Sequence, residues 1–230
     1  MALDSFKLNM TSFFMQTKGT TLATPTIEQE DPNNPGTTIE VLNIDAELAK
    51  VARKITDEYH LAMSTARQQS GGTFRPINPA FYSSAMEAAK EGIFLAILGV
   101  LNAMHKKGVK PSITLMLPIG AAIVAYWSTS LTPGSFLPVP APVTPPFVTP
   151  VPGVIVTFPG NPRPIAKGFK DAFSKYDAEQ DFTIALSRML DDLTDGFQKH
   201  LDSISGIYSG MIPAGLFVVP AVLPWKGIKV

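Results

Sequence analysis

Between Lys110 and Arg163 the chain runs for 52 consecutive residues without one charged side chain, although 17% of the whole sequence is charged. A solvated linker is rich in Ser, Glu, Lys or Gln, because such residues need no cover from water. This stretch instead carries Phe136, Leu137, Val139, Val143, Phe147, Val148 and Val151. From Pro133 to Pro164 the chain also holds eleven prolines. Proline removes a backbone donor and fixes φ, so this part reads as a semi-rigid extended strap and not as a central strand. Its apolar side chains need covering, either by the flank of the chain's own helices or by a neighbouring subunit.

The rest of the sequence supplies those helices. Ile44, Leu48, Val51, Ile55, Tyr59 and Met63 recur at three- and four-residue spacing, which predicts a helix from about Asn43 to about Gln68. A second is predicted from Asn78 as N-cap and Pro79 at the first helical position, to His105-Lys106-Lys107 before Gly108. Its charges sit in the first half, at Glu87, Lys90 and Glu91, while Gly92 to Leu101 is apolar all round and is expected to be buried on every side. Ser112 to Trp127 can be helical with a kink at Pro118. Phe182, Leu186, Met189, Leu190, Leu193, Phe197, Leu201, Ile204 and Tyr208 predict a long amphipathic helix with Arg188, Asp191, Asp192, Asp195, Lys199 and Asp202 on its polar face.

Flanking segments read differently. Residues 1 to 42 mix short apolar groups with Thr, Gly and Pro, and Asp31-Pro-Asn-Asn-Pro-Gly36 is a cluster of turn formers, so this part is expected to be an extended arm with a turn or hairpin. Val154 to Phe158 alternates as a short strand would, closed by the turn at Pro159-Gly-Asn-Pro162. The apolar tail from Gly210 to Val230 is interrupted by Pro213, Pro220 and Pro224 and reads as an extended ending laid on another surface. The expected organisation is thus mainly α: an N-terminal arm (1–42), a helical region (43–131), the strap (132–164), a C-terminal helical region (165–209) and the tail (210–230), with a minor β element.

Composition narrows the function. Hydrophobic residues make up 45% of the 230, enough for a core. Basic and acidic residues number 19 each, so no overall field draws nucleic acid to the chain. There is no cysteine, which removes disulfides, thiolate metal sites and thiol nucleophiles. The first fifteen residues lack the pattern of a secretory signal. Neither glycine-rich phosphate loop is present, nor is the G-x-S-x-G elbow. His60, His105 and His200 lie far apart with no ligand spacing, and each has a structural explanation within or at the end of a helix. The aspartates Asp191, Asp192, Asp195 and Asp202 read as the wet face of a helix before they read as a cation site. No cofactor and no metal are called for.

Ala125-Tyr-Trp-Ser-Thr, the Pro-rich passage after it and Val154-Ile-Val-Thr-Phe-Pro-Gly160 before a final helix resemble small virion proteins of tailed bacteriophages, over roughly residues 79 to 208. The resemblance transfers no functional residue. It implies a tail, neck or baseplate component residing in the virion after assembly in the host cytoplasm. The resulting expectation is a non-enzymatic structural subunit whose partners are further copies of itself and other structural proteins, without nucleic acid. Tyr126, Trp127, Phe136, Phe147, Phe158 and Trp225 are expected at its interfaces. Two alternatives stand beside it. One is a membrane protein with a helical hairpin at 92–131, although spanning needs about 20 apolar residues per helix. The other is an enzyme whose active site is assembled from scattered residues.

Overall fold

Asn43 starts the second helix of the chain by accepting a hydrogen bond from the Ala46 N–H onto its side chain, at 3.1 Å. The computed structural model describes residues 2–19, 26–32, 34–64, 67–68, 74–76, 83–129, 136–138, 154–178, 181–214 and 217–230. Among them are six helices: α1 (Ala2–Gly19), α2 (Ile44–Met63), α3 (Ser84–Lys107), α4 (Ile113–Ser128), α5 (Arg163–Ala178) and α6 (Phe182–Ser203). The strands are β1 (Thr26–Glu30), β2 (Thr38–Leu42), β3 (Arg67–Gln68), β4 (Phe74–Pro76), β5 (Phe136–Pro138), β6 (Val154–Phe158), β7 (Ser205–Ala214), β8 (Phe217–Lys226) and β9 (Ile228–Lys229). The fold is mainly α.

Each helix packs on the next in sequence, and α1 packs on both α2 and α6, so the six close into a ring of staves. The inward residues form one core. Its largest fully buried side chains include Trp127, Tyr59, Tyr126, Phe6, Phe169 and Phe197. Tyr59 and Phe197 bring α2 and α6 together with ring centroids 4.7 Å apart, and Phe6 of α1 meets Phe197 edge-on at 5.5 Å.

The ring corrects the expectation of an extended N-terminal arm. Phe6 and Met10 are both fully buried, and Leu3, Phe13 and Phe14 pack beside them, at the three- and four-residue spacing of one helix face. Proline does not occur before Pro25, so nothing breaks the helix before Gly19. Lys7 pairs with Asp191 of α6, and the Asn9 amide donates to Glu58 Oε2 at 2.7 Å, tying α1 to its two neighbours. The turn expected after it is present: β1 and β2 pair antiparallel around Asp31–Thr37, where the Asp31 N–H donates to Thr37 O at 2.8 Å.

Other helix ends also move. α2 stops at Met63, before Gln68, which lies in β3. α3 begins at Ser84, where Ser83 accepts from the Met86 N–H; Asn78 and Pro79 lie outside the described residues. It ends as expected at Gly108, whose φ of 63° is the left-handed cap that glycine favours. Ser112 caps α4, which continues through Pro118. The charged segment after Arg163 forms a separate helix, α5, and α6 ends at Ser203, so Tyr208 lies in β7 rather than on a helix.

The apolar tail, expected as an extended ending laid on another surface, is extended and is laid on itself as a hairpin. β7 and β8 pair antiparallel over ten residue pairs, and β6 pairs with Ser205–Ser209 on the other side of β7. Prolines permit this because of their parity. Pro220 and Pro224 face Met211 and Ile207, and Pro213 faces Val218, so all three fall in the same alternate class of pairs. In that class neither residue donates to its opposite, and the missing N–H groups lie away from the β7–β8 ladder. Beyond it, Gly227 turns the chain with φ 80°, and its N–H donates to Ile204 O at 2.8 Å. Ile228 is then fully buried in the helical core. β6 spans Val154–Phe158 as the alternation predicts, and the last two strap residues, Arg163 and Pro164, open α5; the rest of the strap, apart from β5 and the turn at Pro159–Pro162, lies outside the described residues.

Candidate functional site

The core carries a polar seam between α2 and α4. Successive residues Tyr59 and His60 face successive residues Tyr126 and Trp127. The Trp127 indole N–H donates to Tyr59 Oη at 2.8 Å, and His60 Nδ1 lies 2.9 Å from Tyr126 Oη. On its other side, His60 Nε2 meets Glu87 Oε2 of α3 at 2.6 Å. Lys90 in turn pairs with Glu87 and lies 3.6 Å from Asp57. Three staves are thus joined through one imidazole.

Burial pushes the His60 imidazole below its ordinary value, with Glu87 pulling against it, while the Lys90 hydrogen bond first and His60 second hold Glu87 below the usual carboxylate range. Glu87 as a carboxylate only accepts, so a neutral His60 donates from Nε2 and accepts from the Tyr126 hydroxyl at Nδ1. Carboxylate, imidazole and hydroxyl in that order resemble a general-base relay. Here the terminal hydroxyl belongs to a tyrosine that is 0% exposed. Its position suits it to hold α4 against α2, not to meet a substrate. Tyr59, also fully buried, is raised well above the ordinary phenol value by desolvation.

A second polar contact anchors the C-terminal end of the strap. His200 of α6 donates from Nε2 to Pro159 O at 2.9 Å, and the Asn161 N–H donates to Ser203 Oγ at 3.0 Å. Gly160 between them has φ 87°, and a Cβ there would stand 2.7 Å from Ser203 Oγ. Burial drives His200 down to about 4, against the raising effect of the Pro159 carbonyl, so the imidazole is neutral at physiological pH. Its Nδ1 is buried without a hydrogen-bond partner.

The remaining candidates are placed as follows. Asp191, Asp192 and Asp195 are engaged by Lys7, Lys175 and Lys199, and Asp202 accepts from Gln198 at 2.9 Å. Among the described residues no group of three or more His, Cys, Asp or Glu is arranged to hold a metal ion. His105 is exposed at the end of α3, beside an open groove lined by Phe14, Leu48, Met104 and Phe173. Tyr126 and Trp127, expected at interfaces, are spent on the chain's own core, because their polar atoms find partners there. Phe158 is 51% exposed. The side chains of Phe136, Phe147 and Trp225 lie outside the described residues.

The hairpin of α3 and α4 around the basic turn His105–Lys110 is formed, as two adjoining staves of the helical ring. Among the described residues no helix is long and apolar enough to cross a membrane. In the sequence alone His60 reads as a helix residue with a structural explanation. The signal available was two adjacent pairs of polar aromatics, Tyr59-His60 and Tyr126-Trp127, on otherwise apolar helix faces. Comparison with protein-family models, curated proteins and solved structures finds no match to this chain.

Proposed function

We propose that this chain is a structural subunit of a large protein assembly, working by packing against copies of itself and other structural proteins, and that the assembly is the tail, neck or baseplate of a bacteriophage virion. The observation that carries this reading is the outer surface of α3 and α4. These staves adjoin in the ring, and their exposed residues include Gly92, Leu95 and Gly99 on one and Pro118, Ala121 and Ala125 on the other, with no charged residue between Gly92 and Met104 or between Ile113 and Ser128. A stable monomer normally breaks such a surface with charge, whereas a subunit covers it with a neighbour. The virion assignment draws on the resemblance around Ala125–Thr129 and Val154–Gly160. In this reading the chain carries out no chemical step, and the Glu87–His60–Tyr126 seam is a tether.

The test is the mass of the purified chain in solution together with the protein composition of the purified particle by mass spectrometry. A fixed copy number per particle is expected. Its absence from intact particles overturns the proposal.

A further inference from the structure

We propose that Pro220 and Pro224 are edge guards, which keep β8 from taking on a strand of a second copy of this chain. The inference goes beyond the assembly reading and does not depend on it, because it concerns the chain alone in solution.

β8 is the kind of strand that invites such an addition. Among the described residues β7 pairs with it on one side, no strand pairs with it on the other, and no helix packs along it. It is ten residues long, against about five or six for a typical strand. Its one charged residue, Lys226, is the last of the ten, and the whole stretch from Ser203 to Trp225 is uncharged. A long, apolar, unpaired edge is a template for another chain. Natural sheets blunt such an edge by shortening it, by a bulge, by charge, by cover or by proline. β8 is not short, its one-to-one register with β7 over ten pairs holds no bulge, and it carries charge only at its end. Proline is the device that remains.

Register puts the prolines where they act. Successive residues of an antiparallel strand turn their backbone groups to opposite sides, so Val218, Pro220, Val222, Pro224 and Lys226 all direct their nitrogens away from β7. A new ladder on that side would call on each of the five in turn. Every second donor is missing, and at Pro220 and Pro224 an incoming carbonyl would meet a ring carbon in place of a proton. That carbonyl would lose its water and gain no partner. Pro213 does the same on β7: β6 pairs with Ser205–Ser209 only, and Pro213 lies past that cover with its nitrogen on the β6 side. β6 itself and the part of β7 that it covers hold no proline. The prolines of this sheet thus stand only on edges that no described strand covers.

Thioflavin fluorescence and sedimentation velocity on the full chain test this. Pro220→Thr combined with Pro224→Thr gives back both outward donors and raises strand propensity, and this variant should form sheet-rich aggregates about tenfold faster than the wild type or more. A second variant keeps the composition unchanged. Val218→Pro with Pro220→Val, and Val222→Pro with Pro224→Val, move each proline to the next outward position of the same register. It should associate no faster than the wild type. Circular dichroism and thermal midpoint are followed for both variants. The guard is overturned if the double threonine variant associates no faster than the wild type, or if the variant with shifted prolines associates as fast as the threonine one. It is also overturned if the helices of the threonine variant melt before association begins, because unfolding and not an opened edge would then be the cause.

Discussion

Gly168 and Gly196 meet backbone to backbone where α5 crosses α6: a Cβ built on either would stand 3.0 Å from the other's Cα. At Gly168 the added carbon would also lie 2.7 Å from Asp192 O. Backbone on both sides cannot yield as a flexible side chain can. Gly168→Ala is therefore expected to destabilise the chain by about 1–3 kcal/mol, overcoming the gain in helix propensity. Gly92→Ala, with open space around it, should instead stabilise the isolated chain by about 0.5–1 kcal/mol. Urea denaturation of both variants measures the contrast, and equal effects would refute it.

Tyr59 and Trp127 bury a hydrogen bond that each needs. Tyr59→Phe keeps the ring but leaves the indole N–H without its partner in a dry core, at a cost of about 1–3 kcal/mol. Trp127→Phe has a further cost from the volume it leaves empty. A double-mutant cycle should return a favourable coupling between the two, and strictly additive losses would show that the bond contributes nothing.

His200 gives the chain a dependence on pH with a definite sign. Its imidazole titrates near 4 in the folded state and near 6.5 when unfolded, so the unfolded chain takes up the proton first as pH falls. Its stabilising effect is fully present above about 6.5, declines as acid is added and levels off below about 4, a total of about 3 kcal/mol. Depression of His60 acts in the same direction. The stability difference between wild type and His200→Gln, followed by denaturant titration across this range, should shrink with acid. A pH-independent difference would remove His200 as its source.

Ile228 makes the end of the chain part of the core. Deleting residues 227–230 removes a fully buried isoleucine and the Gly227–Ile204 hydrogen bond, with an expected loss of about 2–5 kcal/mol. Cutting at Gly210 would take the same contacts away, so a failure of that shorter chain to assemble would reflect folding as well as docking. Thermal unfolding of the 1–226 chain checks this, and an unchanged midpoint would place Ile228 outside the cooperative unit.

Local chemistry in the sequence was enough to determine much of the helical scaffold: the start of α2 near Asn43, the stop at Gly108, the apolar face of α2 and most of α6, and the alternation of β6. These are set by residues within a turn or two of each other, and their physics does not depend on what lies beyond. The tertiary structure decided what Phe6 and Met10 do, because their weakly amphipathic segment gains a helix mainly by closing the ring against α2 and α6. It also decided that Tyr126 and Trp127 face inward, since the partners of their polar atoms stand 66 and 68 residues away. The tail, read as broken by its prolines, became a hairpin because only pairing reveals that the three lost donors fall on the same alternate positions. Periodicity and caps report short-range energies, whereas burial and pairing are settled only when distant segments meet.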